Sequence, residues 1–143
     1  MANNMLRKVL VVGVGMTKFE KPGRRSDFDY LDMVAEAVTN ALKDGKVDYK
    51  QIQQAVVGYV DGESCCGQRA LYPLGMNGIP IYNVNNNCST GSSALLLDQQ
   101  LVAGGVAECV LAVGFEKMKR VSLTGKGYDD RVNRPVNRQI IDK

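Results

Sequence analysis

The residue of this chain best placed to do covalent chemistry is Cys88, inside Ile81-Tyr82-Asn83-Val84-Asn85-Asn86-Asn87-Cys88-Ser89-Thr90-Gly91-Ser92-Ser93-Ala94. The alternating apolar run over residues 79–84 predicts a strand. Three Asn follow, residues that tolerate the left-handed backbone of a tight turn. The small residues 89–94 then lead into Leu95, Leu96, Leu97, Leu101 and Val102, which predicts a helix to about Ala103, stopped by Gly104-Gly105. Cys88 falls at the junction. There it faces backbone N–H groups without intrahelical partners and the positive end of the helix dipole, and both favour thiolate over thiol. The plainer alternative is a cysteine that simply packs, since free Cys is among the most often buried residue types.

The remaining side chains with reactive potential are sparse. Cys65 and Cys66 stand in an irregular stretch and read as small packing residues, and Cys109 begins an apolar strand and reads as core. No C-x-x-C pair and no His is present, so a metal would have to be held by scattered thiols and carboxylates, and none is expected. No resident cofactor is expected either.

The elements that must position Cys88 follow from periodicity. Lys8-Val9-Leu10-Val11-Val12-Gly13-Val14-Gly15-Met16 is a Val-rich apolar run of strand length, of the kind buried on both faces of a parallel sheet. Gly13-x-Gly15 opens like a dinucleotide-binding turn, but Lys18 stands three residues after Gly15 and a loop follows, so nucleotide binding is not expected. Ser26, Asp27 and Asp29 offer N-capping oxygens to a helix whose apolar residues Phe28, Leu31, Val34, Ala35, Val38, Ala41 and Leu42 recur at helical spacing up to the stop at Gly45. After a short turn over residues 47–52, residues 55–60 form the next strand, predicted to lie parallel beside the first in a right-handed βαβ unit. Residues 61–78, broken by four Gly and Pro73, predict a long loop in which only residues 68–74 turn. Asp98, Gln99 and Gln100 are the only polar group of the helix after Cys88, which predicts a helix covered on most sides. Residues 109–115 are the last strand. The expected architecture is α/β with three layers, an incomplete βαβ-βαβ arrangement.

Composition sets bounds on the class. With 143 residues, 45% of them hydrophobic and 23% charged, the chain can build one core. No apolar run approaches a membrane span and the start does not resemble a secretory signal, so a soluble, non-secreted protein with reduced thiols is expected. The net charge of +3 is uneven: residues 1–116 carry ten Lys and Arg against twelve Asp and Glu, whereas residues 117–143 carry eight against three. That basic stretch has few aromatics to interleave with bases, so nucleic-acid binding is not expected.

Three segments together carry a resemblance. Val12-Gly13-Val14-Gly15-Met16-Thr17-Lys18-Phe19, Asn86-Asn87-Cys88-Ser89-Thr90-Gly91-Ser92-Ser93-Ala94 and Ala112-Val113-Gly114-Phe115-Glu116-Lys117-Met118 are similar, in that order, to the N-terminal half of the thiolase superfamily, and within it to the 3-ketoacyl-CoA thiolase part of the sterol carrier protein X family. The resemblance implies a thiolase-like fold over residues 1–119, with 120–143 as a divergent, disordered basic tail. It implies that Cys88 is the acylated nucleophile and coenzyme A the co-substrate, in peroxisomal β-oxidation of fatty acids and sterol side chains, and in a dimer of thiolase subunits. Thiolases supply their acid/base groups, His and a second Cys, from a C-terminal half that lies beyond this sequence.

Two readings result: a truncated thiolase portion that is inactive alone, or a non-catalytic interaction protein that pairs with full-length thiolase subunits. The terminal Ile141-Asp142-Lys143 is unlike a Ser-Lys-Leu peroxisomal address, which leaves a cytoplasmic location open. Elements that pack inside a larger fold in the family would here expose apolar surface. The purified chain is therefore expected to self-associate, with a mass by light scattering that rises with concentration; a cooperative, monomeric unfolding transition in dilute solution would overturn this.

Overall fold

The computed structural model describes residues 7–118. The basic stretch 120–143 lies outside the described residues. The architecture runs α1 (Tyr30–Gly45), β1 (Gln54–Gly58), α2 (Cys66–Leu71), β2 (Ile81–Val84), α3 (Thr90–Ala103) and β3 (Val110–Gly114), with single 3-10 turns at Tyr49–Gln51 and Tyr72–Leu74. The strands form one parallel sheet in the order β2-β1-β3, with Ala55 opposite Ile81 on one side and Leu111 on the other.

The alternation of side chains along β1 divides the core in two. Ala55 and Val57, with Leu111 and Val113 of β3, meet Val34 and Val38 of α1 and Cys66, Ala70 and Leu71 of α2. Val56 and Gly58 point to the opposite face, where α3 lies. The result is three layers, with α1 and α2 on one side of the sheet and α3 on the other.

Local chemistry accounts for the helix boundaries. Asp29 caps α1 through a capping box with Asp32, its Oδ1 accepting from the Tyr30 N–H at 2.7 Å, while Asp32 Oδ2 accepts from the Asp29 N–H at 2.8 Å. At the other end Lys46 takes the left-handed conformation (φ 53°), and its N–H bonds back to the last turn. The long irregular stretch is more ordered than its composition predicts: α2 forms within it, held to β2 by Asn83 Oδ1, which accepts from the Gly67 N–H at 2.8 Å.

The predicted first strand is not formed. Residues 8–16 form no strand and lie against α1 instead of pairing in the sheet. A Cβ on Gly13 would stand 2.4 Å from the Ala41 carbonyl oxygen, and one on Gly15 would stand 2.1 Å from that of Ala37. The two glycines therefore let this backbone press directly on the helix. Its polar groups find partners there as well, since the Val14 N–H donates to Asp44 Oδ2 at 2.9 Å. Leu10, Val11, Val12, Val14 and Met16 are left exposed, and the βαβ unit expected between this segment and β1 is absent.

α3 also departs from expectation. Its buried residues are Thr90, Ala94 and Asp98, spaced four apart on one face, whereas Leu95, Leu96 and Leu97 are exposed. The helix is covered on one side only, and its one charge points inward.

Close packing at Gly58 joins α3 to the sheet, because a Cβ there would meet Thr90 Cγ2 at 2.5 Å and the Thr90 backbone oxygen at 2.9 Å. Gly58→Ala is expected to cost about 1–3 kcal/mol by overpacking, read as a lower urea midpoint with an unchanged slope.

Candidate active site

Cys88 lies between the end of β2 and the start of α3, at the carboxyl edge of the parallel sheet. Open α/β sheets bind their ligands at this edge. Its thiol is free and the residue is exposed.

The turn is assembled from its own polar residues. Asn85 Oδ1 accepts from the Asn87 N–H at 3.0 Å, and Asn87 takes φ 50°, a left-handed conformation that Asn adopts more readily than other non-glycine residues. Thr90 Oγ1 is used twice: it accepts from the Asn86 N–H at 2.9 Å and donates to the Asn87 carbonyl at 2.5 Å. Ser89 donates through Oγ to the Asn86 carbonyl at 3.0 Å, and Asn86 Nδ2 donates to Ser93 Oγ at 2.9 Å. Because Ser89 Oγ is directed back to the turn, the N-cap residue of α3 supplies no side-chain cap to the helix. A backbone bridge between Asn86 and Cys88 completes the loop.

The third motif fixes the same edge from the other side. The Phe115 ring stacks against Tyr30 of α1 and against Tyr59, each at 5.1 Å between centroids. The Glu116 carboxylate accepts from the N–H groups of Val60 and Asp61 at 3.0 Å, and Lys117 Nζ donates to the Phe28 carbonyl. These contacts tie together the segments that leave β1 and β3 and the one that enters α1.

The other thiols do not join Cys88 on its turn. Cys65 is exposed in a left-handed conformation (φ 61°) at the start of α2. Cys66 is buried in the core between the sheet and α2, with its N–H donating to the Tyr59 hydroxyl at 3.3 Å. Cys109 precedes β3, and burial pushes its thiol up. Sequence reading missed Asp98. It is 3% exposed, neither of its carboxylate oxygens has a hydrogen-bond partner, and burial pushes its carboxyl up to about 7. Its position four residues after Ala94 and eight after Thr90 was the available signal.

A family description, thiolase N-terminal domain, matches residues 9–136. The chain belongs to the thiolase family. The match continues past residue 119 into the basic stretch. Sterol carrier protein 2 of Rattus norvegicus is 60% identical over 136 residues, covering 94% of this chain and 24% of the relative. Non-specific lipid-transfer protein-like 2 of Caenorhabditis elegans is 59% identical over 126 residues, covering 87% and 31%. This thiolase-family chain thus spans about a quarter to a third of the length of these curated relatives. Among solved structures, the priming β-ketosynthase of the R1128 polyketide pathway superposes with a TM-score of 0.65 at 20% identity, covering 76% of this chain and 41% of that one, a likeness of fold. The parallel sheet with helices on both faces is therefore a thiolase-like fold of which this chain holds an N-terminal part. Among the described residues no helix is long and apolar enough to cross a membrane.

Thr90 carries the turn through both its donor and its acceptor. Thr90→Val removes both hydrogen bonds and is expected to cost about 1–3 kcal/mol, with faster amide exchange at Asn86 than in the parent while exchange in β1 is unchanged.

Proposed function

We propose that this chain is the nucleophile-bearing part of a 3-ketoacyl-CoA thiolase and that Cys88 is its acylated residue. The observation that carries the reading is an exposed thiol on a built strand–turn–helix junction at the carboxyl edge of a parallel sheet, in a chain of the thiolase family. In this reaction the Cys88 sulfur bonds to the 3-keto carbon of the substrate and the carbonyl oxygen takes up the electron pair. Collapse of that adduct breaks the bond between C2 and C3. The pair leaves with the shortened CoA thioester as its enolate, which is protonated to acetyl- or propionyl-CoA. The thiol of a second coenzyme A then takes the acyl group from Cys88 and restores the thiol.

Proton transfers and oxyanion donors are needed at both stages, and each positioned acid or base contributes about a hundredfold to ten-thousandfold. No His is available for this within the 143 residues. In the proposal those groups, with the surfaces that hold coenzyme A, belong to the portion of the relatives that this chain does not span, so turnover requires that portion. The substrates are acyl chains of fatty-acid and sterol side-chain β-oxidation, the setting is the peroxisome, and the working unit is a dimer with thiolase subunits. A second reading, a non-catalytic partner of full-length subunits, is favoured by the exposed Leu95, Leu96 and Leu97 on α3.

The native chain should react with iodoacetamide at Cys88 at least about tenfold faster than at Cys65, which is also exposed, mapped by peptide mass spectrometry. Equal rates at the two sites would overturn the assignment. Thiolysis of a 3-ketoacyl-CoA by the complete protein should fall by about three orders of magnitude or more in Cys88→Ser. Undiminished thiolysis in that variant would overturn Cys88 as the acylated residue.

A further inference from the structure

The loop that leads into α1 carries exposed apolar and cationic side chains that neither the core nor the candidate active site uses. It is held at both ends: upstream the Val14 N–H donates to Asp44 of α1 at 2.9 Å, and downstream the Phe28 carbonyl accepts from Lys117 Nζ. Between these anchors Lys21-Pro22-Gly23-Arg24 makes a tight turn, with the Arg24 N–H donating to the Lys21 carbonyl at 3.1 Å and Gly23 at φ 81°. Pro at the second position and a left-handed Gly at the third are what a type II turn requires. Such a turn brings the Cα atoms of Lys21 and Arg24 within about 7 Å, so the backbone itself holds two cations side by side.

The charges of this loop are unbalanced. Residues 17–25 contain Lys18, Lys21, Arg24 and Arg25 against the single acid Glu20. Arg25 is engaged inward, its guanidinium 3.4 Å from the centroid of the Phe28 ring and 3.6 Å from the Glu36 carboxylate of α1. Asp29 and Asp32 are taken up by the capping box of α1. Lys18, Lys21 and Arg24 are exposed and form no ion pair among the described residues. Next to Lys18 the Phe19 ring is 90% exposed, against 63% for Met16 and 67% for Val14 just upstream.

A bare phenyl ring among unpaired cations matches the boundary of an anionic bilayer. There the ring enters the acyl layer, the ammonium and guanidinium groups meet the phosphates, and the lysine stems lie along apolar surface. An acidic protein surface would satisfy the charges but offers no apolar layer to Phe19. A small free anion fits less well still, because the shallow hollow beside Arg24 and Arg25 is also lined by the carboxylates of Asp27 and Asp32.

We propose that residues 18–24 are a docking loop by which this chain attaches peripherally to anionic lipid surfaces. The attachment does not depend on the thiolase chemistry of Cys88. The loop enters α1 where Tyr30 stacks on Phe115, just past the end of β3, so docking brings the carboxyl edge of the sheet close to the lipid.

The sequence has no Trp, so Phe19→Trp puts a single reporter at the loop. With vesicles of phosphatidylcholine and phosphatidylserine at about 7:3, its emission is expected to shift to the blue and the chain to float with the lipid. Pure phosphatidylcholine vesicles or about 0.5 M salt should abolish both effects. In the otherwise unchanged chain, Lys21→Gln combined with Arg24→Gln should weaken partitioning by about 25-fold, each cation contributing about fivefold. Phe19→Ser should weaken it by about tenfold. Flotation of undiminished strength in both variants would assign the binding to the basic stretch beyond residue 119 and overturn the proposal. Equal flotation on phosphatidylcholine alone, no flotation at all, or flotation without a blue shift would overturn it too. Binding of polyglutamate that is lost in the Lys21 and Arg24 variant, with no vesicle binding, would replace the lipid by an acidic protein partner.

Discussion

The contact between the first turn of α3 and the glycines at the ends of β1 and β3 governs the rest of this structure. Gly58 admits Thr90 to a distance that any side chain would forbid, and Gly91 of the helix lies in ordinary contact range of Gly114 of β3. With the helix start held on the strand ends, the five residues 85–89 suffice to bring the chain from β2 into α3. The geometry of Cys88 therefore depends on one side chain that is absent, at Gly58. Thr90 converts that proximity into a defined turn, because its hydroxyl is close enough to bond the backbone on both sides of Asn86 and Asn87.

The two faces of the sheet are stabilised differently. On the α1 and α2 side, Val34, Val38, Leu71, Val57 and Cys66 make a dry core with full side-chain volume. On the α3 side, the contact surface includes Thr90, Ala94, Asp98, Val56 and glycine, groups that permit close approach but bury little apolar area each. The larger apolar groups of α3 face outward. This division suits a helix that stands between two packed surfaces, and it fits a chain that spans a quarter of a longer relative.

Much of this was legible in the sequence. The strand–turn–helix around Cys88, the helix over residues 30–45 and the stop at Gly104-Gly105 each rest on local signals, namely capping oxygens, helical spacing and glycine, and local signals survive folding. Two features were not legible. The Val-rich run 8–16 has the composition of a buried strand, but pairing is a long-range choice, and here two glycines bring it against α1 instead. Asp98 was grouped with its polar neighbours Gln99 and Gln100, whereas its orientation is set by the face it shares with Ala94 and Thr90. The four cysteines could be ranked only by context, and the structure separates an exposed pair, Cys65 and Cys88, from the buried Cys66 and half-buried Cys109.

The stack of Tyr30, Phe115 and Tyr59 gives this protein an optical signature. The sequence contains no Trp and six Tyr, so the near-ultraviolet circular dichroism of the chain arises largely from phenol rings in fixed surroundings. Two of those rings flank one Phe where α1 meets the strand ends. Their ellipticity therefore reports, without any added label, whether the first helix is docked on the sheet.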